Sequence, residues 1–417
     1  MTSFFRPVSQ KEPERLTWKI VHQSLIVGSY NDASQPRRQL SRPVKVAAFD
    51  LDDALVKPKL GGARFVRNVS SHVWWNPAVP ERLKELHNDG YLVVIFTNQG
   101  SISLKDNAKS LQKDTLSLKN FKDQLTAFMR ELEFQVSVYA ATGNDKYRKP
   151  RVGMWEELRK NFDLQDDSAI DMDNSFYIGD AAGREKTDKR QKDHATSDRD
   201  LAANIGIKFQ TPEEFFLGLE TEPYFHPFEP KQFLLSTLSQ PEQKTPFTKQ
   251  NKQELVIFCG PPGAGKSSFY WKQLEPQGYE RVNQDILKTR EKCIRAARQL
   301  LEAGNSVAVD NTNRDRDARA HWVQLAKHFS IPIRCVLFTA SARLCEHNDV
   351  VRAHNSSMNP ESRVILPPIA FRSFVQSYVP PSIDEGFQDI TNVPFEFEGT
   401  DAERELWSKY WVSKFST

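Results

Sequence analysis

The run Gly260, Pro261, Pro262, Gly263, Ala264, Gly265, Lys266, Ser267 constrains the fold of this chain more than any other. It has the spacing G-x-x-x-x-G-K-[ST] and follows the short apolar run Glu254–Cys259. Such a run, bounded by glycine, reads as a buried parallel strand. Strand, glycine loop and helix start together let backbone N–H groups surround a phosphate, and the helix dipole adds favourable charge. Lys266 is then placed to reach the β- and γ-phosphates, and the Ser267 hydroxyl to ligate Mg²⁺. The bland alternative is a chance glycine turn. The full pattern in this context points instead to a nucleoside triphosphate, and leaves open what receives the phosphate.

The chain has 417 residues, more than one ordinary core organises, so two or three domains are expected. With 39% hydrophobic and 27% charged residues the composition is that of a soluble globular protein. A net charge of +3 leaves any nucleic-acid contact to local patches. Cys259, Cys293, Cys335 and Cys345 form no C-x-x-C pair, so a reducing compartment without disulfides or a zinc site is expected. Apolar runs such as Leu92–Phe96 are too short to cross a bilayer, and no secretory signal opens the chain.

Residues 1–40 read as a polar tail and extension, with strand-like residues over Trp18–Val27. Beyond them, short apolar strands alternate with helical patterns. Strands are expected at Lys45–Phe49, Tyr91–Phe96, Phe134–Ala140 and Ser175–Ile178. Helices are expected around Glu81–Leu86, through Leu118, Phe121, Leu125, Phe128 and Leu132, and around Met154–Phe162. This alternation predicts a doubly wound parallel sheet. Such sheets carry their sites at the C-terminal ends of strands, and there the sequence has Asp50, Asp52, Thr97, Lys149 and Asp180. Singly, each reads better as a solvated loop residue. Together they read as a phosphohydrolase site. Asp50 would attack phosphorus to form an aspartyl-phosphate. Asp52 would protonate the leaving group and then activate water. Lys149 would hold the intermediate's charge, and Asp50 with Asp180 would hold Mg²⁺.

These motifs resemble those of the haloacid dehalogenase superfamily of phosphatases, and more closely those of the polynucleotide kinase 3′-phosphatases. The closer resemblance rests on Phe96-Thr-Asn-Gln99, Tyr147-Arg-Lys-Pro150, Phe176-Tyr-Ile-Gly-Asp-Ala-Ala-Gly-Arg184 with Lys192–Asp198, and Thr211-Pro-Glu-Glu-Phe215, all followed by the kinase loop. It implies an α/β protein of two doubly wound parallel-sheet domains. A haloacid dehalogenase-like phosphatase would span 41–221 and a P-loop kinase 252–417, with 222–251 as a Pro-rich linker. It also implies Asp198 as a further acid beside Asp50, Asp52 and Asp180 at the metal, and Asn98 and Arg184 as substrate contacts. The first motif departs from the family at Ala54, which has no hydroxyl to help orient Asp52, so a weakened but real phosphatase is expected. The residues ahead of that motif are too few for the forkhead-associated module of animal members, and a short form is expected.

In the second half, Asp285 matches the family's acceptor of the 5′-hydroxyl proton, a task that needs a positioned carboxylate. Its other reading is the N-cap of a helix over Ile286–Ala303. Asp310 and Asn311, at the end of the strand Ser306–Asp310, resemble the second kinase motif and would position metal or substrate; a turn acid is the alternative. Arg352 stands where the family has a lid arginine that touches phosphates, or it lies on a solvated helix face. Residues 355–394 read as loop-rich, and Asp401–Phe415 as a packed helix bearing Trp407 and Trp411. Lys186, Lys189, Arg190, Lys192, Lys288, Arg290 and Lys292 could meet DNA or form solvated surface.

The expected function is DNA strand-break end processing in repair. ATP would phosphorylate 5′-hydroxyls, and Mg²⁺-dependent hydrolysis would remove 3′-phosphates at nicks, gaps and double-strand breaks. The resemblance alone implies a nuclear monomer, with a repair ligase or scaffold proteins as partners. The rivals are the same chemistry on RNA ends, a kinase whose phosphatase domain has become a DNA-binding module, and a small-molecule kinase fused to a metabolite phosphatase.

Overall fold

The computed structural model describes residues 16–30, 41–59, 71–102, 104, 111–188, 190–239 and 246–416. The N-terminal tail and Lys189 lie outside them. The chain separates into two compact units, residues 1–226 and 227–417.

The strands of the first unit are β1 Leu16–Val21, β2 Leu25–Tyr30, β3 Val46–Phe49, β4 Val56–Pro58, β5 His72–Trp74, β6 Leu92–Asn98, β7 Val136–Ala141, β8 Phe176–Ile178 and β9 Lys208–Gln210. Seven of them form one sheet in the order β1-β2-β7-β6-β3-β8-β9, and β4 pairs with β5 alone. From β7 to β9 the sheet is parallel, as the alternating pattern predicts. The difference lies at the other edge. β1 and β2 form an antiparallel hairpin, and β2 runs antiparallel to β7, so the strand-like patch in the expected extension is part of the sheet. Gly28 permits this hairpin. A Cβ there would stand 2.5 Å from the Trp18 ring, which lies across the neighbouring strand.

Side chains alternate across the central strands. Val46, Ala48, Val94, Phe96, Tyr139 and Tyr177 face one core, while Ala47, Phe49, Val93, Ile95, Val138 and Ile178 face the other. Both faces are covered, which is why these strands are continuous apolar runs.

The second unit holds an all-parallel sheet of β10 Leu255–Cys259, β11 Tyr279–Val282, β12 Ser306–Val309, β13 Ile333–Phe338 and β14 Ile390–Val393, ordered β11-β12-β10-β13-β14. The Pro-rich stretch 222–251 contains a helix over Pro230–Ser239, and Phe228 and Phe247 are buried in this unit's core. The stretch 355–394 is loop-rich as expected, though it also holds β14 and a helix over Pro368–Ser377, whose Pro368 sits at the first helical position, where its missing N–H costs nothing. One expectation needs correction. The helix expected over Ile286–Ala303 is two helices, Gln284–Leu287 and Arg290–Glu302. They are broken at Lys288, whose φ is +74°, and Thr289 caps the second by accepting from Lys292 N. All four cysteines are buried and free. Among the described residues no helix is long and apolar enough to cross a membrane.

The helix Ala342–His354 and the C-terminal helix Asp401–Trp407 meet through a buried histidine. His347 Nε2 donates to the Trp407 carbonyl oxygen at 2.9 Å, and burial lowers the imidazole from the usual 6.5 to about 4. The unfolded chain therefore binds a proton near pH 6.5 that the folded chain refuses until about pH 4. Stability is complete above the upper value, falls as pH drops between the two, and falls no further below the lower one. Melts of wild type and His347→Gln compared at pH 7.5 and 5 should show a pH-dependent loss of about 2 kcal/mol in wild type only. Equal pH slopes would disprove the assignment.

Two candidate active sites

The first site lies at the C-terminal ends of β3, β6 and β8. Lys149 is its centre. Its Nζ lies 2.6 Å from Asp50 Oδ1 and 2.7 Å from Asp198 Oδ1, and donates to the Phe96 carbonyl and to Tyr177 Oη. Burial opposes the lysine's charge, but the carboxylates of Asp198 and Asp50 outweigh it and raise its pKa. Carboxylate oxygens of Asp50, Asp180 and Asp198 all lie within 4.8 Å of one another. Burial pushes Asp50 up to about 7, against the pull of Lys149 and with Asp198 and Asp52 adding to it. Burial and the same crowding raise Asp180 well above the usual range. Three desolvated oxygen ligands that repel one another fit a hard divalent cation.

Local geometry explains why these residues converge. Gly179 makes room for Asp198, whose Oδ2 would stand 2.4 Å from a Cβ at that position. Ala181 N donates to the same oxygen at 3.0 Å. Asn98 uses both ends of its amide on the Lys149 backbone, so it positions the lysine. Thr97 is buried beside Asp52, and both receive a hydrogen bond from Gln99 Nε2. The sequence marks Gln99 only as the end of the Phe96–Gln99 motif and assigns it no role. Arg184, expected as a substrate contact, is held by protein partners. Its guanidinium is buried against Asp193 and Glu213 and also reaches the Asp180 carbonyl, so it braces the loop that carries Asp180.

The second site follows β10. Residues Gly260, Pro261, Pro262, Gly263, Ala264 and Gly265 form the loop that leads into the helix Lys266–Phe269. Gly263 has φ +81°, and a Cβ there would stand 2.3 Å from the Cys345 carbonyl oxygen, so glycine is required. Lys266 is buried and donates to the Gly260 and Pro261 carbonyls at 3.1 and 2.5 Å. Burial lowers its pKa, against the pull of Asp310. Ser267 Oγ donates to Asp310 Oδ2 at 2.8 Å, and that carboxylate also receives Arg281 Nε and Asn283 Nδ2. Asp310 is thus a buried hub, which removes the turn-acid reading.

Asp285 is exposed, and its carboxylate lies 3.3 Å from Arg363 Nη1. The helix cap here is Asn283, which accepts from Asp285 N and Ile286 N. The capping alternative for Asp285 therefore falls. Asn311 accepts from Gln284 N, which ties the end of β12 to the same turn. Arg352 pairs with Asp349, whereas Arg363 donates from Nη2 to Ser267 Oγ at 3.0 Å. Arg363 is a second residue that the sequence did not mark. The loop is braced from behind: Asn348 Nδ2 donates to the Gly263 carbonyl, and Asn348 Oδ1 accepts from Trp407 Nε1.

Residues 45–216 match the sequence model of the polynucleotide kinase 3 phosphatase family, and residues 255–292 and 288–381 match that of an AAA domain. The chain is 39% identical over 384 residues to the bifunctional polynucleotide phosphatase/kinase of Schizosaccharomyces pombe, covering 91% of this chain and 85% of that one. It belongs to the bifunctional polynucleotide phosphatase/kinases. A protein of Acanthamoeba polyphaga mimivirus, described by the same activity, is 31% identical over 91% of both chains. The polynucleotide 3′-phosphatase ZDP of Arabidopsis thaliana is 37% identical over 43% of this chain and 25% of its own length. Membership brings with it an enzyme of two α/β folds, one phosphatase-like and one P-loop kinase-like, that uses ATP and a divalent metal.

Proposed function

We propose that the first unit removes 3′-phosphates from DNA ends and that the second phosphorylates 5′-hydroxyls, so that the chain readies broken strands for a ligase in nuclear DNA repair. The observation that carries the phosphatase half is Lys149 held between Asp50 and Asp198 beside a buried triad of acids. An Asp50 oxygen attacks phosphorus, the P–O3′ bond breaks, and the Asp52 proton moves to the 3′-oxygen. Water then attacks the aspartyl-phosphate, gives its proton to Asp52, and releases inorganic phosphate with Asp50 restored. Lys149 offsets the charge on the nucleophile throughout. Asp50, Asp180 and Asp198 would hold Mg²⁺, which supplies charge neutralisation for the phosphoryl group. Asp52 would stand beside that metal without contributing to the triad.

In the second unit the loop N–H groups and Lys266 hold the triphosphate, and Ser267 with Asp310 would hold Mg²⁺. The 5′-oxygen attacks the γ-phosphorus, the bond to the β–γ bridging oxygen breaks, and the hydroxyl proton passes to Asp285. Arg363, already at Ser267 and Asp285, is placed to meet the transferred group. Arg352 would reach the phosphates only after leaving Asp349.

The deciding test is incubation with ATP, Mg²⁺ and a nicked duplex bearing 5′-hydroxyl and 3′-phosphate ends, with a matched RNA strand as a second arm. Conversion of both DNA ends is expected. Conversion of RNA alone would replace DNA as the substrate. Asp285→Asn should slow transfer to the 5′-hydroxyl by about a hundredfold or more, the range for losing a general base. Its melting temperature and ATP affinity should match wild type, because the cap belongs to Asn283. Unchanged single-turnover transfer would remove Asp285 from the mechanism.

A further inference from the structure

Gln99 has no acid, base or nucleophile to offer, yet its side chain is 3% exposed at the end of β6, inside the phosphatase site. Its Nε2 donates to Asp52 Oδ2 at 2.9 Å and to Thr97 Oγ1 at 2.8 Å. An amide nitrogen has two hydrogens, so both are committed. Two residues beyond Asp52, Ala54 is a fully buried methyl group with nothing to donate.

From this geometry we infer that Gln99 is a positioning residue that aims the general acid Asp52, supplying from β6 the hydrogen bond that position 54 cannot. The inference rests on the phosphatase reading above. The bond to Oδ2 fixes the rotation of the carboxyl group. The second bond, to Thr97 Oγ1, anchors the amide itself and so holds the first bond in place.

The consequence depends on the leaving group. A sugar alkoxide is a poor leaving group and needs the Asp52 proton as the P–O3′ bond breaks. A nitrophenolate leaves as a stable anion without it. A variant that misaims Asp52 without unfolding the site should therefore fail selectively on the nucleic-acid substrate.

The test uses Gln99→Met, which keeps the length and removes both donors, with enzyme in excess and Mg²⁺ present. Release of the 3′-hydroxyl oligonucleotide from a 3′-phosphorylated oligonucleotide is compared with release of nitrophenolate from p-nitrophenyl phosphate in a single turnover. Oligonucleotide release should fall about ten- to a hundredfold, the range a hydrogen bond to a charged group is worth. Nitrophenolate release should change by no more than about threefold, which also shows that the site is folded. Gln99→Glu, which keeps the shape and places a carboxylate against Asp52, should show the same selectivity and covers the case in which methionine disturbs the fold. Equal losses on both substrates would make Gln99 a packing residue, and no loss on either would make it a bystander; both overturn the inference. If wild type released no 3′-phosphate, the phosphatase reading would fall and take this inference with it.

Discussion

Lys266→Ala is expected to lower 5′-phosphorylation on the order of a thousandfold while leaving 3′-phosphate release unchanged. A single preorganised charge on a transferring phosphoryl group is worth about that much. Lys266 is buried and donates to the Gly260 and Pro261 carbonyls, so without nucleotide it is held by the loop it serves. Alanine removes those two bonds but leaves the glycine conformations and the Asn348 brace in place. ATP should therefore still bind, more weakly. The measurement is transfer and 3′-phosphate release on one preparation. Loss of both activities would mean that the two units do not work separately.

The reverse result is expected from Asp50→Asn, where 3′-phosphate release should fall about ten-thousandfold or more, because an amide is no nucleophile. Kinase activity should persist. This variant also makes an unusual thermal prediction. Burial already pushes Asp50 up to about 7, and its charge crowds Asp198 and Asp52. A neutral amide relieves that crowding, and Lys149 keeps Asp198 as a partner. The melting temperature should equal or exceed that of wild type even though catalysis is lost, as expected where function has been bought with stability. A marked drop in melting temperature would show that the Asp50–Lys149 pair is chiefly structural.

Much of this was legible in the chain. The glycine loop and the strand-end acids are local signals: a few consecutive residues set both the backbone and the chemistry. The parallel core strands were legible because burial on both faces leaves uninterrupted apolar runs. What escaped was non-local. The strand-like residues over Trp18–Val27 were legible, but the β1–β2 hairpin docks antiparallel on β7, more than a hundred residues away in sequence, and no local pattern marks that partner. The break at Lys288 had a signal in Thr289, a good cap residue, but the surrounding helical pattern hid it. The arginines show the limit best. Arg184, Arg352 and Arg363 look alike in sequence, and only their partners separate a brace for a loop, a neighbour of Asp349 and a group at the phosphate site. Gln99 stood in a quoted motif, but its role escaped because its work is geometric.

The brace behind the glycine loop has a bearing on how the protein is made. Gly263 leans on Asn348, and Asn348 on Trp407, far downstream of the loop. A chain emerging from the ribosome exposes its glycine loop long before the tryptophan that steadies it. The first unit can close its sheet while synthesis continues, since domains fold from the N-terminus as they appear. The kinase loop must wait for the helix that carries Trp407. A nascent chain stalled before Trp407 would then carry a finished phosphatase and a nucleotide site with its back support still missing.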